Sequence, residues 1–390
     1  MLGLFLRSLR DHCCWWVASL WPGRHSGAPL SLTRFFFLLI GYPLFLAFQF
    51  VHWLGFFCDA LLFRRYKEIN ISEPIFILGI PRSGTTFLHR TLATDTETFT
   101  SPTTWEVLLA PSITERKFIH LLAAVDRAIG APLRKLIDWV LRKTAGNLDA
   151  IHRVGLNAPE EDYLCLLPIG KCFILLLAFP FAPRLKALGD FASLDVSEQA
   201  SILNFYKSVL QRQLYGRADK KILSKNAAFS TWGAALKRTF PSAKYLICVR
   251  EPETAMSSQL SSIEAARRLF GTDPEGTATA RLIGDCFESG YREIAHFLEQ
   301  CDENEVALLA QTDLRQDPSG TITSALQQLD LDPGEALRAQ LRSLRPASQS
   351  DHSHHPDNFP INHSKIHDCM VPDYEAILRS PNRSQPSSQK

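Results

Sequence analysis

The run from Pro74 to Phe87, Pro-Ile-Phe-Ile-Leu-Gly-Ile-Pro-Arg-Ser-Gly-Thr-Thr-Phe, constrains the fold more than any other part of the chain. Ile75 to Ile80 is apolar and partly β-branched, as in a strand buried on both faces, while Phe87, Leu88 and Leu92 recur at helical spacing. A strand, a tight loop and a helix start in that order belong to an α/β chain with a parallel sheet, and together they build an anion site. Gly79 and Gly84 allow close backbone approach, Ser83, Thr85 and Thr86 bring hydroxyls, and the helix start offers unpaired N–H groups. Arg82 adds a permanent charge and a planar fork of donors. The loop is expected to hold a phosphate or a sulfate.

Gly79 and Gly84 have the spacing of the phosphate loop of nucleotide hydrolases, but Thr85 stands where that loop carries lysine. A kinase or hydrolase would also want a strand-end aspartate for magnesium, whereas the apolar run Tyr245 to Val249 ends in Arg250. With its cation moved to Arg82, the Pro-Arg-Ser-Gly-Thr-Thr loop resembles the 5'-phosphosulfate loop of bacterial-type sulfotransferases, in which arginine is a recognised variant of lysine. The resemblance runs through most of residues 74–330 and implies 3'-phosphoadenosine 5'-phosphosulfate as co-substrate, with no metal. It also implies that Arg250 and Ser258, eight residues apart, hold the donor's 3'-phosphate. Arg82 and Lys225 would stabilise the departing phosphate and the sulfuryl oxygens. Thr104 to Glu106, Asn157 to Asp162 and Phe240 to Lys244 are softer matches to the same subfamily.

The catalytic base is less direct. Relatives that carry lysine and, two residues later, a histidine base are matched here by Lys225 but by Ala227 at the histidine place. Relatives with arginine in the donor loop use a glutamate about twenty residues beyond it, and the resemblance carries that role onto Glu106. The competing reading of Glu106 is a first-turn helix carboxylate. Glu160 and Glu161, after Pro159, are the alternatives, with His89 and His152 behind them.

Other apolar runs, at Lys221 to Ser224 and Val306 to Ala310, alternate with helical patterns at 201–215, 231–240 and 254–270. The expected fold is a P-loop-like parallel sheet flanked by helices, with ligands at the carboxyl ends of the strands. Residues 74–345 would form the catalytic domain. Within it, 102–183 is a helical insertion whose apolar stretches Leu164 to Leu167 and Phe173 to Phe181 suit an amphiphilic acceptor, a lipid, sterol or alkyl alcohol.

The first 73 residues are a different material. Phe35 to Cys58 carries no formal charge over 24 residues, about 36 Å of helix, long enough for a hydrocarbon core of about 30 Å. Pro43, Gln49 and His52 interrupt it, and Arg34, Arg64 and Arg65 flank it. Membrane contact through 35–58 is expected, as a kinked span or an in-plane hairpin, with Leu2 to Leu6 and Trp15–Trp16 as an interfacial segment; the competing reading is a buried apolar helix docked on the catalytic domain. The catalytic domain is read as cytoplasmic. Lysine plus arginine (42) nearly balance aspartate plus glutamate (40), which excludes a nucleic-acid partner of the basic-stripe kind. Nine scattered cysteines without a C-x-x-C indicate neither zinc nor a disulfide framework. Residues 346–390, with His352, His354, His355, His363 and His367, read as a flap over the donor followed by a disordered tail from Ser380.

Overall fold

Five short strands form one parallel sheet of order β2-β3-β1-β4-β5 in the computed structural model, which describes residues 1–21, 27–132, 135, 155–347 and 359–384. They are β1 (Ile75–Gly79), β2 (Phe99–Thr100), β3 (Lys221–Lys225), β4 (Lys244–Val249) and β5 (Val306–Ala310). Every strand reaches its neighbour by a crossover that contains helix, as parallel pairing demands. Alternate residues feed two cores. Phe76, Leu78, Tyr245, Ile247 and Leu308 face one, and Ile75, Ile77, Leu246, Cys248 and Leu309 the other. Because both faces are covered, the strands read as continuous apolar runs. Only two-residue β2 has no such run to announce it.

The register brings the carboxyl ends of β1, β3 and β4 level. Ile77 lies opposite both Lys225 and Leu246, and Ile80 N–H extends the ladder to the Cys248 carbonyl at 3.0 Å. Gly79 sits at φ 137°, and a Cβ there would fall 2.0 Å from the Cys248 carbonyl oxygen. No other residue lets β1 turn out of the sheet beside β4.

The first helices pack into the catalytic core. These are α1 (Leu2–Ser19) and a continuous helical run, Leu32–Leu62, composed of α2 (Leu32–Phe36), a π-helical turn (Phe37–Gly41) and α3 (Tyr42–Leu62). The π turn immediately precedes Pro43, whose ring and missing N–H would conflict with regular α-helical bonding. Trp15, Leu38, Tyr42, Trp53 and Phe56 are buried in the same core as β4 and β5. The long helix packs on the domain by one face only and leaves most of its apolar side chains outward, so it is not a buried core helix.

Further helices follow: α4 (Thr85–Leu92), α5 (Thr104–Leu109), α6 (Ile113–Ala128), α7 (Val196–Gln213), α8 (Gly233–Thr239), α9 (Pro252–Phe270) and α10 (Thr277–Glu299). After β5 come α11 (Pro318–Gln328), α12 (Glu335–Ser343) and α13 (Val371–Leu378), the last packed on α10. Residues 380–384 are not a loose tail. Leu308 N–H donates to the Asn382 carbonyl (2.8 Å), Ser384 N–H to the Leu308 carbonyl (2.9 Å), and Arg383 grips Asp313 at 2.9 Å.

Candidate active site

The loop after β1 closes on itself. Ser83 Oγ donates to the Ile80 carbonyl at 2.6 Å, Arg82 adopts φ 69°, and Gly84 adopts φ 98° to start α4 without a side-chain cap. The first N–H groups of α4 are thus left for a ligand. Arg82 Nε donates to Ser258 Oγ on α9 (3.1 Å), and Arg250 Nη1 donates to the Arg82 carbonyl (3.2 Å). Tyr291 on α10 donates from its hydroxyl to the Arg250 carbonyl at 2.6 Å and fixes the end of β4. Burial and the neighbouring cations Arg82 and Arg315 hold the Arg250 guanidinium below its ordinary value, the electrostatic signature of a site built for an anion.

A cavity of about 540 Å³ opens at this point. Arg82, Gly84, Thr85, Thr86 and Arg250 line it, as do Lys225 and Glu161. Tyr163, Phe173, Ile283 and Phe287 add apolar surface to the same wall, with Gln259 and Ser262 of α9 as further polar points. Gly189 also lines it, because a Cβ there would come within 2.5 Å of Cys286 Sγ. Sequence reasoning did not single out Gly189, Gln259, Ser262 or Phe287, since nothing in their local spacing distinguishes them from ordinary helix and loop residues. Ser83 and Ser258 are buried behind the lining, the first shaping the loop and the second bonded to Arg82.

Lys225, at the end of β3, is ion-paired with Glu161. Asp162 fixes that pairing from below. Its carboxylate is fully buried and accepts from the Tyr206 hydroxyl (2.7 Å), Ser224 Oγ (3.1 Å) and Asn226 Nδ2, while Asn226 Oδ1 receives the Tyr163 N–H at 2.9 Å. The strand residues on either side of Lys225 thereby hold the segment that carries Glu161. Burial pushes the Asp162 carboxyl up to about 6 against the opposing pull of these hydrogen bonds.

Glu106 is not brought to the cavity. It accepts from the Thr103 N–H (3.0 Å) and hydroxyl (2.9 Å) in a capping box at the start of α5, and from Gln213 and Arg217 at 3.0 Å each. Burial raises its pKa, but Arg217, the Thr103 N–H and Arg116 outweigh it and leave the group below the usual carboxylate value. The side chain is spent on structure. Its signal was legible, since Thr-x-x-Glu is the capping-box pattern. Glu160 accepts from Thr104 and does not line the cavity. His89 is buried against Ser101 (2.9 Å), and burial together with Lys225 pushes its imidazole down to about 3. His152, His352, His354 and His355 lie outside the described residues; His363 pairs with Glu253 at 3.0 Å. No described residue after 345 lines the cavity, and no metal-binding cluster occurs among the described residues.

Residues 74–335 match the family model described as the sulfotransferase family. Curated relatives from Mycobacterium bovis and Mycobacterium tuberculosis, each named omega-hydroxy-beta-dihydromenaquinone-9 sulfotransferase Stf3, are 27% identical over 363 residues, covering 88% of this chain and 86% of theirs. Among solved structures, sulfotransferase STF1 of Mycobacterium tuberculosis superposes with a TM-score of 0.64 at 17% identity, over 86% of this chain and 87% of that one. STF9 of Mycobacterium avium gives 0.63 at 18%, over 85% and 82%.

Proposed function

The chain belongs to the sulfotransferase family, and from that premise we propose that it carries a sulfuryl group from 3'-phosphoadenosine 5'-phosphosulfate to a hydroxyl on an amphiphilic acceptor at a membrane. One observation carries the reading. Arg82, Arg250 and the Lys225–Glu161 pair line one cavity together with the apolar side chains of Phe173, Ile283 and Phe287, and Ser258 is bonded to Arg82 just behind that lining.

The open N–H groups of α4, with Arg82, Thr85 and Thr86, take the 5'-phosphosulfate, and Arg250 with Ser258 takes the 3'-phosphate. The acceptor oxygen attacks sulfur in line; its S–O bond forms as the bond to the 5'-phosphate oxygen breaks, and 3'-phosphoadenosine 5'-phosphate leaves. Arg82 and Lys225 meet the charge that builds on the bridging and equatorial oxygens. In this reading Glu161, not Glu106, receives the acceptor's proton, because Glu161 faces the cavity and Glu106 is tied into its capping box. A carboxylate is an adequate base here, since the hydroxyl becomes acidic only as its bond to sulfur forms.

The apolar lining residues Phe173, Ile283 and Phe287 and the name of the curated relatives favour a hydroxyl borne on an apolar molecule. The outward apolar surface of Leu32–Leu62 favours membrane association. Calorimetry with 3'-phosphoadenosine 5'-phosphate against ADP and ATP tests the donor site, and transfer to lipid alcohols against a water-soluble sugar tests the acceptor. Equal affinity for the three nucleotides would sink the donor assignment; equal turnover of both acceptor classes would sink the amphiphile.

A further inference from the structure

The two N-terminal helices bury polar side chains beside their aromatic core residues and turn aliphatic and aromatic side chains outward. On α1 the inward positions Ser8, His12 and Ser19 are polar and used: Ser8 Oγ donates to the Pro168 carbonyl (2.7 Å), His12 Nδ1 lies 2.7 Å from the Tyr42 hydroxyl, and Ser19 Oγ donates to the Trp15 carbonyl and accepts from Arg34. The outward stripe is Leu2, Leu6, Leu9, Val17 and Leu20. On α3, Gln49, His52 and Asp59 are buried, with His52 Nδ1 2.6 Å from Glu115 and Asp59 2.9 Å from Arg212. Its outward stripe is Leu44, Phe48, Val51, Leu54, Leu61 and Leu62. A helix covering a water-soluble domain has the opposite arrangement. Twenty of the thirty most exposed large apolar side chains among the described residues precede residue 63.

The stripes share one face. At about 100° per residue, Phe50, Trp53 and Phe57, which surround Phe5 of α1, fall on one flank of α3, and His52, Gly55 and Asp59, which meet the start of α6, on the other. Hence α3 is the middle of a row, core below and apolar face above.

Both ends of the long helix are pinned to the catalytic domain. Arg34, fully buried, donates to the Ala178 and Phe270 carbonyls, and Asp59 is held by Arg212, the two lying about 37 Å apart along the helix. A helix crossing a bilayer would leave the domain at one of these points. Charge around the face is one-sided. Arg7, Arg10, Arg64, Arg65, Lys67, Lys117 and Arg127 are exposed on α1, α6 and the turn after α3, against one exposed carboxylate, Glu68.

We propose that α1 and α3 form a docking face for one leaflet of an anionic lipid bilayer, with the long helix lying in the membrane plane; this rests on the membrane association proposed above. Apolar side chains enter the acyl boundary while the basic rim meets lipid phosphates. The face lies one layer from the cavity, because the Pro168 carbonyl that receives Ser8 and Trp53 lies near the end of the segment carrying Tyr163 into the cavity wall.

The full chain, with Cys13, Cys14 and Cys369 changed to serine, is floated with preformed phosphatidylcholine vesicles with and without phosphatidylglycerol. It is expected to float with the anionic vesicles, less so at high salt, and the pair Leu44→Glu and Val51→Glu is expected to cut the bound fraction by about tenfold. Unchanged binding of 3'-phosphoadenosine 5'-phosphate establishes that this variant is folded. On bound protein, cysteines placed by Gly3→Cys and Lys67→Cys are both expected to react with an impermeant maleimide from outside. Flotation with one of them protected until detergent is added would overturn the in-plane arrangement and leave membrane association standing. Failure to float would overturn both, and a dimer abolished by the glutamate pair would then assign the face to a second copy of the chain.

Discussion

Lys225 and Glu161 form an ion pair in the cavity wall, with the lysine side chain only 6% exposed. The pair holds both side chains in place at the cavity, where the proposed mechanism assigns the carboxylate to the acceptor and the ammonium to the sulfuryl oxygens. Glu161→Gln is therefore expected to lower kcat by about 10²–10⁴-fold while affinity for 3'-phosphoadenosine 5'-phosphate stays near wild type. Glu106→Gln should instead leave kcat within a few-fold and lower the melting temperature, since breaking a buried ion pair costs about 3–5 kcal/mol. Steady-state kinetics beside thermal melts separates the two, and the opposite pattern would return the base to Glu106.

Arg250→Ala is expected to weaken 3'-phosphoadenosine 5'-phosphate by about 10–150-fold, the worth of one charged hydrogen bond of about 1.5–3 kcal/mol, while leaving ADP nearly unaffected. Arg82→Ala should lower both nucleotide affinity and kcat, because its guanidinium serves the reacting end. Titration calorimetry reads the first difference, and loss of ADP binding in the Arg250 variant would refute the division of labour.

Asp162 gives a pH prediction. Its folded pKa of about 6 lies above the unfolded value, so the folded state binds the proton more tightly and this stabilisation, complete below about pH 4, is lost as pH rises through 6. Asp162→Asn removes the titration. The stability of wild type relative to this variant should fall by about 2 kcal/mol between pH 4 and 7, as read by urea unfolding. A difference independent of pH would mean that the carboxyl is not titrating there.

Gly189→Val should narrow the cavity near Phe173 and Cys286, where the acceptor is proposed to lie, because a Cβ at Gly189 already falls 2.5 Å from Cys286 Sγ and the wall must shift. KM for a bulky acceptor is expected to rise at least about tenfold, the worth of a lost methylene-sized space, with donor affinity unchanged. Equal effects on large and small acceptors would place Gly189 outside the acceptor path.

Much of this arrangement was legible. The loop after β1, Lys225 and Arg250 converge as expected because each ends a buried parallel strand, and such strands announce themselves as apolar runs. Glu106 stands in a Thr103-x-x-Glu106 pattern that the fold uses as a cap, so its position relative to the loop and its local pattern point to different roles. Glu161 could not be separated from Glu160, since which neighbour faces a cavity depends on Asn226 and Ser224, far off in sequence. Gln49 and His52 read as interruptions of a span; in three dimensions they mark the side facing protein. Ser380 to Ser384 looked like tail because its backbone pairing depends on β5 and leaves no periodicity.

That last pairing has a consequence for handling the protein. A parallel sheet stops wherever its outer strand runs out of partners, and a bare strand is a template for another chain. Two-residue β2 is too short to recruit one, but five-residue β5 is not, and residues 382–384 sheathe it. A truncation before Ser380, harmless by its distance from the cavity, would leave an aggregation-prone margin and would be misread as loss of catalytic competence.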